Sequence, residues 1–294
     1  MAERRTLRPR QWTSLCEVLQ QVSFGEAQQD QISTGLHALD RFTSGLTSGH
    51  LVVIGSRPDQ GRTSLALTLA GNAAFRQARA VGIVSLESNP LSIANRILAA
   101  ESRVPLRVIA SGALSEDQNT RLELTRAKIK RTPLFVDRMC HTDVETLADD
   151  ARRAWEKGRL DLLIVDYVQL LQLFGGGYPH EDNFSAIVRR LKHLARELEI
   201  TVVAVSQLAR PRASSSIWGG PDLDDLEGAT PIAEHADEVL LIHWPGNEVG
   251  PRDSLATMAE IVVAKNRSGP VGSLHLGFQP DLAAFTNLGD VAAA

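Results

Sequence analysis

The residues with the most chemical meaning follow the apolar run Leu51–Gly55. They read Ser56, Arg57, Pro58, Asp59, Gln60, Gly61, Arg62, Thr63 and Ser64, and an apolar stretch of helical period comes next. Loops that cradle phosphate run Gly, four residues, Gly, Lys, then Ser or Thr. Here Ser56 replaces the first glycine and Arg62 replaces the lysine. The remaining chemistry is intact: Gly61 lets the backbone approach a phosphate, a helix N-terminus offers free N–H groups, and Thr63 can hold a magnesium ion. Arg62 is the serious departure, because a guanidinium is larger, planar and differently directed from an ammonium. A plain strand–turn–helix connection is the alternative.

Three further strand ends carry groups that suit phosphate chemistry. The run Leu160–Asp166 closes on Asp166, as expected of a carboxylate that holds magnesium, or of an acid that only caps a turn. Ala80–Ser85 is followed by Leu86 and Glu87, a general base for an attacking water or a solvated loop acid. Thr201–Ser206 leads to Gln207, a neutral amide suited to sensing a terminal phosphate or placing water. Convergence of four strand ends on one edge is harder to obtain by chance than any one of them. Near the C-terminus, Lys265 and Arg267 are spaced to share one face of a strand or hairpin. The sequence shows no evident acidic partner for them within the same subunit. An arginine finger reaching a neighbour's γ-phosphate accounts for them; a solvated basic turn is the other reading.

These residues need a scaffold that brings strand ends together. Apolar runs at 51–55, 80–85, 134–136, 160–166 and 201–206 alternate with helix-period segments near 63–76, 90–101, 115–130, 143–157 and 184–198. Continuous apolar strands separated by helices predict a mainly parallel sheet with helices on both faces. Runs at 238–243, 259–264 and 273–276 have short connections, which predicts antiparallel strands at the C-terminal end. With no internal repeat and no second core, the expectation is one α/β domain over 31–287. Residues 1–30 form a tail with an amphipathic helix over 12–22, and 288–294 a disordered tail. Two loops break the rhythm, 174–183 and 207 to about 230, and both follow C-terminal strand ends, where open α/β sheets bind ligands.

Composition narrows the class. The 294 residues are 43% hydrophobic and 22% charged, which argues against whole-chain disorder. No uninterrupted apolar run approaches the roughly 20 residues that span a bilayer. The basic N-terminus meets no apolar stretch and does not read as a secretory signal. Cys16 and Cys140 show no metal-like spacing, so a reduced, cytoplasmic protein is expected. The net charge of −4 hides opposed blocks. Residues 184–221 hold six basic and two acidic side chains, whereas 222–238 hold seven acidic and no basic ones. Net charge alone therefore does not exclude a nucleic-acid partner.

The chain resembles the C-terminal motor domain of the DnaB-type replicative helicases, a family with the RecA-like P-loop NTPase fold. The matching stretches include Thr34-Gly-Leu-His-Ala-Leu-Asp40, Arg57-Pro58 with Gly61 and Thr63, and Ser85-Leu-Glu87. They continue with Asp166-Tyr-Val-Gln-Leu170, Ser206-Gln-Leu208, Ala236-Asp237 and 264–272, in family order over about 31–287. The resemblance implies an ATP-dependent, ring-forming helicase or translocase acting on single-stranded DNA in replication, with ATP and Mg2+ as cofactors. It implies Thr63 and Asp166 as magnesium ligands, Glu87 as catalytic base, Gln207 as phosphate sensor, and Lys265 and Arg267 acting in trans across a hexamer interface. Other replication proteins are implied as partners. Arg210 and Arg212 in the second loop suit phosphate contact, and Trp218 either stacks a base or packs back onto the body. The glycine-rich first loop, with Tyr178, is the weaker candidate for DNA. The basic helix face with Arg189, Arg190, Lys192 and Arg196 reads as solvated.

Two alternatives remain. One is an ATPase-impaired paralogue that binds nucleotide or DNA, or assembles as a structural or regulatory partner; Arg62, Ser56 and the lack of a counterpart to the family's collar domain motivate it. The other is a RadA- or KaiC-like ATPase, which shares the Lys-Asn-Arg-x-Gly pattern but not the Arg-Pro and Asp-Tyr-x-Gln-Leu details.

Overall fold

The computed structural model describes residue 15 and residues 31–137, 142–173, 180–209, 220–245 and 257–289. The 12–22 helix apart from Leu15, both cysteines and the tail beyond Gly289 lie outside the described residues. The chain begins with β1 (Gln31–Ile32), α1 (His37–Thr43) and β2 (Leu46–Thr47), then β3 (Leu51–Ser56) and α2 (Arg62–Gln77). Next come β4 (Val81–Ser85), α3 (Pro90–Ser102), α4 (Leu106–Ser111), α5 (Glu116–Ile129) and β5 (Leu134–Val136). The middle holds α6 (Val144–Glu156), β6 (Leu162–Asp166), α7 (His180–Leu198), β7 (Thr201–Gln207) and α8 (Ala229–His235). It closes with β8 (Glu238–His243), β9 (Thr257–Asn266), β10 (Gly272–Gln279) and β11 (Ala284–Thr286).

Nine strands form one sheet in the order β11-β10-β9-β8-β3-β7-β6-β4-β5. From β8 to β5 all neighbours are parallel; β9, β10 and β11 continue it antiparallel. One expectation needs correction. Glu238–His243 pairs in parallel with β3 and is antiparallel only to β9. The reason is α8, a short helix the periodicity did not announce, which carries the chain back across the sheet before β8.

The continuous apolar runs are explained by burial on both faces. Val52, Ile54, Ile83, Ile164, Val203 and Leu240 point to the side covered by α2 and α3, against Leu65, Leu69 and Ile93. Leu51, Val53, Leu163, Val202 and Val239 point to the other side, against Leu147 of α6 and Leu191 and Leu194 of α7. Truncating any of these to Ala would cost about 2–5 kcal/mol. Two salt-bridged helices close that second face: Arg152 of α6 makes two bonds to Glu197 of α7, and Arg190 reaches Glu145.

The Thr34–Asp40 stretch is structural. Asp40 accepts from the Thr34 N–H at 2.8 Å and the Thr34 hydroxyl at 2.6 Å, fixing the entry to α1. Gly35 has φ of +73°, and a Cβ there would stand 2.4 Å from the Asn72 amide. Only glycine fits that close approach. Among the described residues, no helix is long and apolar enough to cross a membrane.

Candidate functional site

The loop between β3 and α2 turns through two left-handed residues, Asp59 at φ +60° and Gly61 at +96°. Gly61 is the N-cap of α2, no side chain caps the helix, and its first turn holds no acid. The first N–H groups of a helix have no intrahelical partner. Those of α2 are therefore positioned to receive an anion, helped by the helix dipole. The loop rests on an aromatic wedge from the C-terminal strands. Trp244 donates its indole N–H to the Gln60 carbonyl at 3.2 Å. Trp244 meets Phe278 edge-on at 5.6 Å and Phe278 meets Phe285 at a tilt at 4.8 Å, and a Cβ on Gly61 would lie 3.3 Å from the Phe285 ring. Ser56 is fully buried and donates to the Arg57 carbonyl at 2.7 Å. The antiparallel strands thus fix the loop from behind.

Four sheet positions converge beside it. Ser56 is in register with Gln207, and Ser85 with Asp166. Asp166 is 2% exposed and accepts from the Thr63 hydroxyl at 3.1 Å and, more weakly, from Ser85 at 3.4 Å. Burial pushes its pKa up and the nearby Glu87 charge adds to this, while the two hydroxyls and Arg62 oppose it. Glu87 is half exposed and receives a bond from Arg62 Nη2 at 3.3 Å. Arg62 itself is only 9% exposed, with its guanidinium carbon 5.2 Å from the Tyr167 ring centroid. Its Nε and Nη1 are buried with no hydrogen-bond partner.

Two residues here escape reasoning from residue types alone. Tyr167 supplies the aromatic face under Arg62. Gln169 donates to the Ser206 hydroxyl at 2.8 Å and to the Glu227 carbonyl at 3.3 Å, tying the segment after β6 to the end of β7. Both lie in the quoted Asp166–Leu170 stretch, so the signal was present but not its geometry.

Lys265 and Arg267 stand apart from these groups. β9 runs antiparallel to β8 and pairs Asn266 with Glu238, so both cations lie at the sheet edge opposite the loop. A partner absent from the sequence reading is found there: Asp237, 2% exposed, accepts from the Leu51 N–H at 2.8 Å and from Lys192 at 2.5 Å. It also lies 3.6 Å from Arg267. Lys265 donates to the Ala233 and Ala236 carbonyls at the end of α8, both at 2.6 Å. Arg267 remains 69% exposed. The expected solvated basic face of α7 is likewise half correct: Arg189 and Arg196 are exposed, but Arg190 and Lys192 are held in ion pairs. Arg210, Arg212 and Trp218, with Tyr178, lie outside the described residues.

A family model for the DnaB-like helicase C terminal domain matches residues 31–287. The chain is 35% identical over 254 residues to a replicative DNA helicase DnaB of Treponema pallidum (strain Nichols), covering 86% of this chain and 55% of that protein. It is 34% identical over 257 residues to a probable plasmid replicative DNA helicase of Chlamydia psittaci, covering 87% and 56%. The chain therefore spans a little over half the length of these relatives. Among solved structures, one described as an ATPase domain superposes with a TM-score of 0.80 at 26% identity, over 93% of this chain and 97% of that one. A DnaB-like replicative helicase, described with its interactions with primase, gives 0.78 at 26% identity, over 87% and 62%.

Proposed function

Since this chain belongs to the family of DnaB-like helicase C-terminal domains, we propose that it is an ATP-hydrolysing motor. It would work as a cytoplasmic ring, a hexamer, that translocates on single-stranded DNA during replication alongside other replication proteins. The observation that carries the reading is the meeting of Thr63, Asp166, Glu87 and Arg62 beside an uncapped helix N-terminus.

In this reading the loop residues Ser56–Ser64 cradle the phosphates with backbone N–H groups, and Arg62 adds its charge. Thr63 and Asp166 offer a hydroxyl and a carboxylate within hydrogen-bonding distance of each other, hard oxygen donors that suit Mg2+. When bound there, the ion neutralises charge on the phosphates. Glu87 takes the proton from the attacking water, which needs an accessible carboxylate, and it is half exposed. Gln207 is the amide that senses the terminal phosphate, a role supported by its register with Ser56 at the end of β3. Its bonded neighbours join it to the Gln169–Ser206 link, a route from phosphate to the loops beyond β6 and β7.

Arg267, exposed at the far edge, is the group that reaches a neighbour's γ-phosphate, and Lys265 holds the strand that carries it. The segment with Arg210, Arg212 and Trp218 is proposed to contact DNA. Two neighbours support this: Ala209 before it continues from the end of β7, and Gly220 after it lies beside His243 at the end of β8, both at the edge that bears the site.

The ATPase-impaired alternative rests on Arg62 and Ser56; the convergence of the other groups supports the motor. The test is ATP turnover by the purified chain with and without single-stranded DNA. Stimulated turnover above an Asp166→Ala control is expected; none above that control would end the motor reading.

A further inference from the structure

Arg62 does not have the surroundings of a solvated charge. Its side chain is nine-tenths buried, one nitrogen is bonded to Glu87, the ring of Tyr167 lies against the guanidinium, and the other two nitrogens have no partner. A guanidinium carries five N–H donors, has no acceptor and does not lose its proton. Buried donors left unpaired are costly, so an arrangement that keeps two of them calls for an anion. The adjoining uncapped N-terminus of α2, without an acid in its first turn, calls for the same kind of ligand.

One cation therefore faces two anions. Glu87 already draws on it through a single bond of 3.3 Å, and a phosphate received at the uncapped helix N-terminus, where Arg62 is the first helical residue, would draw on the same charge. The rigid planar fork can serve both sides, but its one positive charge is divided between them. We propose that Arg62 is a shared receptor for which Glu87 and the terminal phosphate of a nucleoside triphosphate compete, so that arrival of the phosphate loosens the hold on Glu87. The consequence is that the carboxylate is pinned while the loop is empty and becomes free to take a proton once phosphate is in place. This rests on the nucleotide reading above and adds to it a regulation of the same site.

The test is a double-mutant cycle read by equilibrium binding of a non-hydrolysable ATP analogue with Mg2+, and of ADP, to the full chain. The variants are Glu87→Gln, Arg62→Met and the two combined; should Arg62→Met not fold, Arg62→Gln closes the same cycle. Competition predicts that Glu87→Gln tightens the triphosphate analogue about five- to tenfold when Arg62 is present and less than twofold when it is replaced. The gain with ADP is smaller in both backgrounds, because the residue at this loop position reaches the outer phosphates. Equal gains with and without Arg62 would mean plain repulsion by Glu87 and would overturn the shared receptor while leaving the nucleotide site standing. Failure of the unaltered chain to bind either nucleotide would overturn both.

Discussion

The Thr63 hydroxyl donates to Asp166 at 3.1 Å, joining the first turn of α2 to the end of β6 across 103 residues of sequence. The carboxyl beneath it is buried, and burial raises its pKa. The folded chain thus binds this proton more tightly than the unfolded chain. The stability it contributes is complete below about pH 3.9, the ordinary value, and is lost as pH rises through the raised one.

Asp166→Asn, which mimics the protonated acid, is expected to raise the melting temperature at pH 7.5 by about 2 °C or more. The advantage shrinks as pH approaches 4, and turnover is abolished at every pH. Melting curves across pH check the first statement and ATPase assays the second.

Lys265 and Arg267 should separate cleanly. Removing Lys265 leaves the Ala233 and Ala236 carbonyls without their donor, and Lys265→Ala is expected to cost about 1–2 kcal/mol in denaturant unfolding. Arg267→Ala, at an exposed side chain, should stay within about 0.5 kcal/mol. In the assembled protein the same Arg267→Ala should lower turnover about a hundredfold or more.

Arg62→Lys restores the usual loop residue but forfeits the contact with Tyr167 and the planar fork. Turnover is expected to fall about three- to tenfold. A rise of more than tenfold would mark a degenerate site instead.

The two-bond pair between Arg152 and Glu197 holds α6 to α7 at 2.7 and 2.9 Å. Hydrogen bonding from Arg152 keeps the Glu197 pKa below the ordinary range. Its contribution is therefore present above about pH 4.3 and lost as pH falls. Glu197→Gln should cost about 1 kcal/mol at pH 7, with the deficit closing in acid unfolding measurements.

What could be read in the sequence follows from what leaves a one-dimensional trace. Strands β3, β6 and β7 are buried on both faces, so they appear as unbroken apolar runs, and the groups at their ends could be assigned to one edge. Strands β1, β2 and β11 have two or three residues and give no period to detect. The parallel course of β8 depended on α8, a seven-residue helix with a single fully buried side chain, Ile232. Asp237 was visible as part of a family stretch, but its bonds to Leu51 and Lys192 span 186 and 45 residues. Likewise the Arg62–Tyr167 contact exists only because β7 pairs with both β3 and β6 and brings their ends to one edge.

The antiparallel course of β9 sets a counting rule. Arg267 lies at the Leu51 end of the sheet and the loop between β3 and α2 at the Ser56 end, roughly 17 Å away at strand rise. With the proposed trans role, every chain carries two halves of different sites. An open row of n chains then completes n−1 sites, whereas a closed circle completes n. Opening the circle to admit a strand silences one site without changing any residue, and dilution to single chains silences them all.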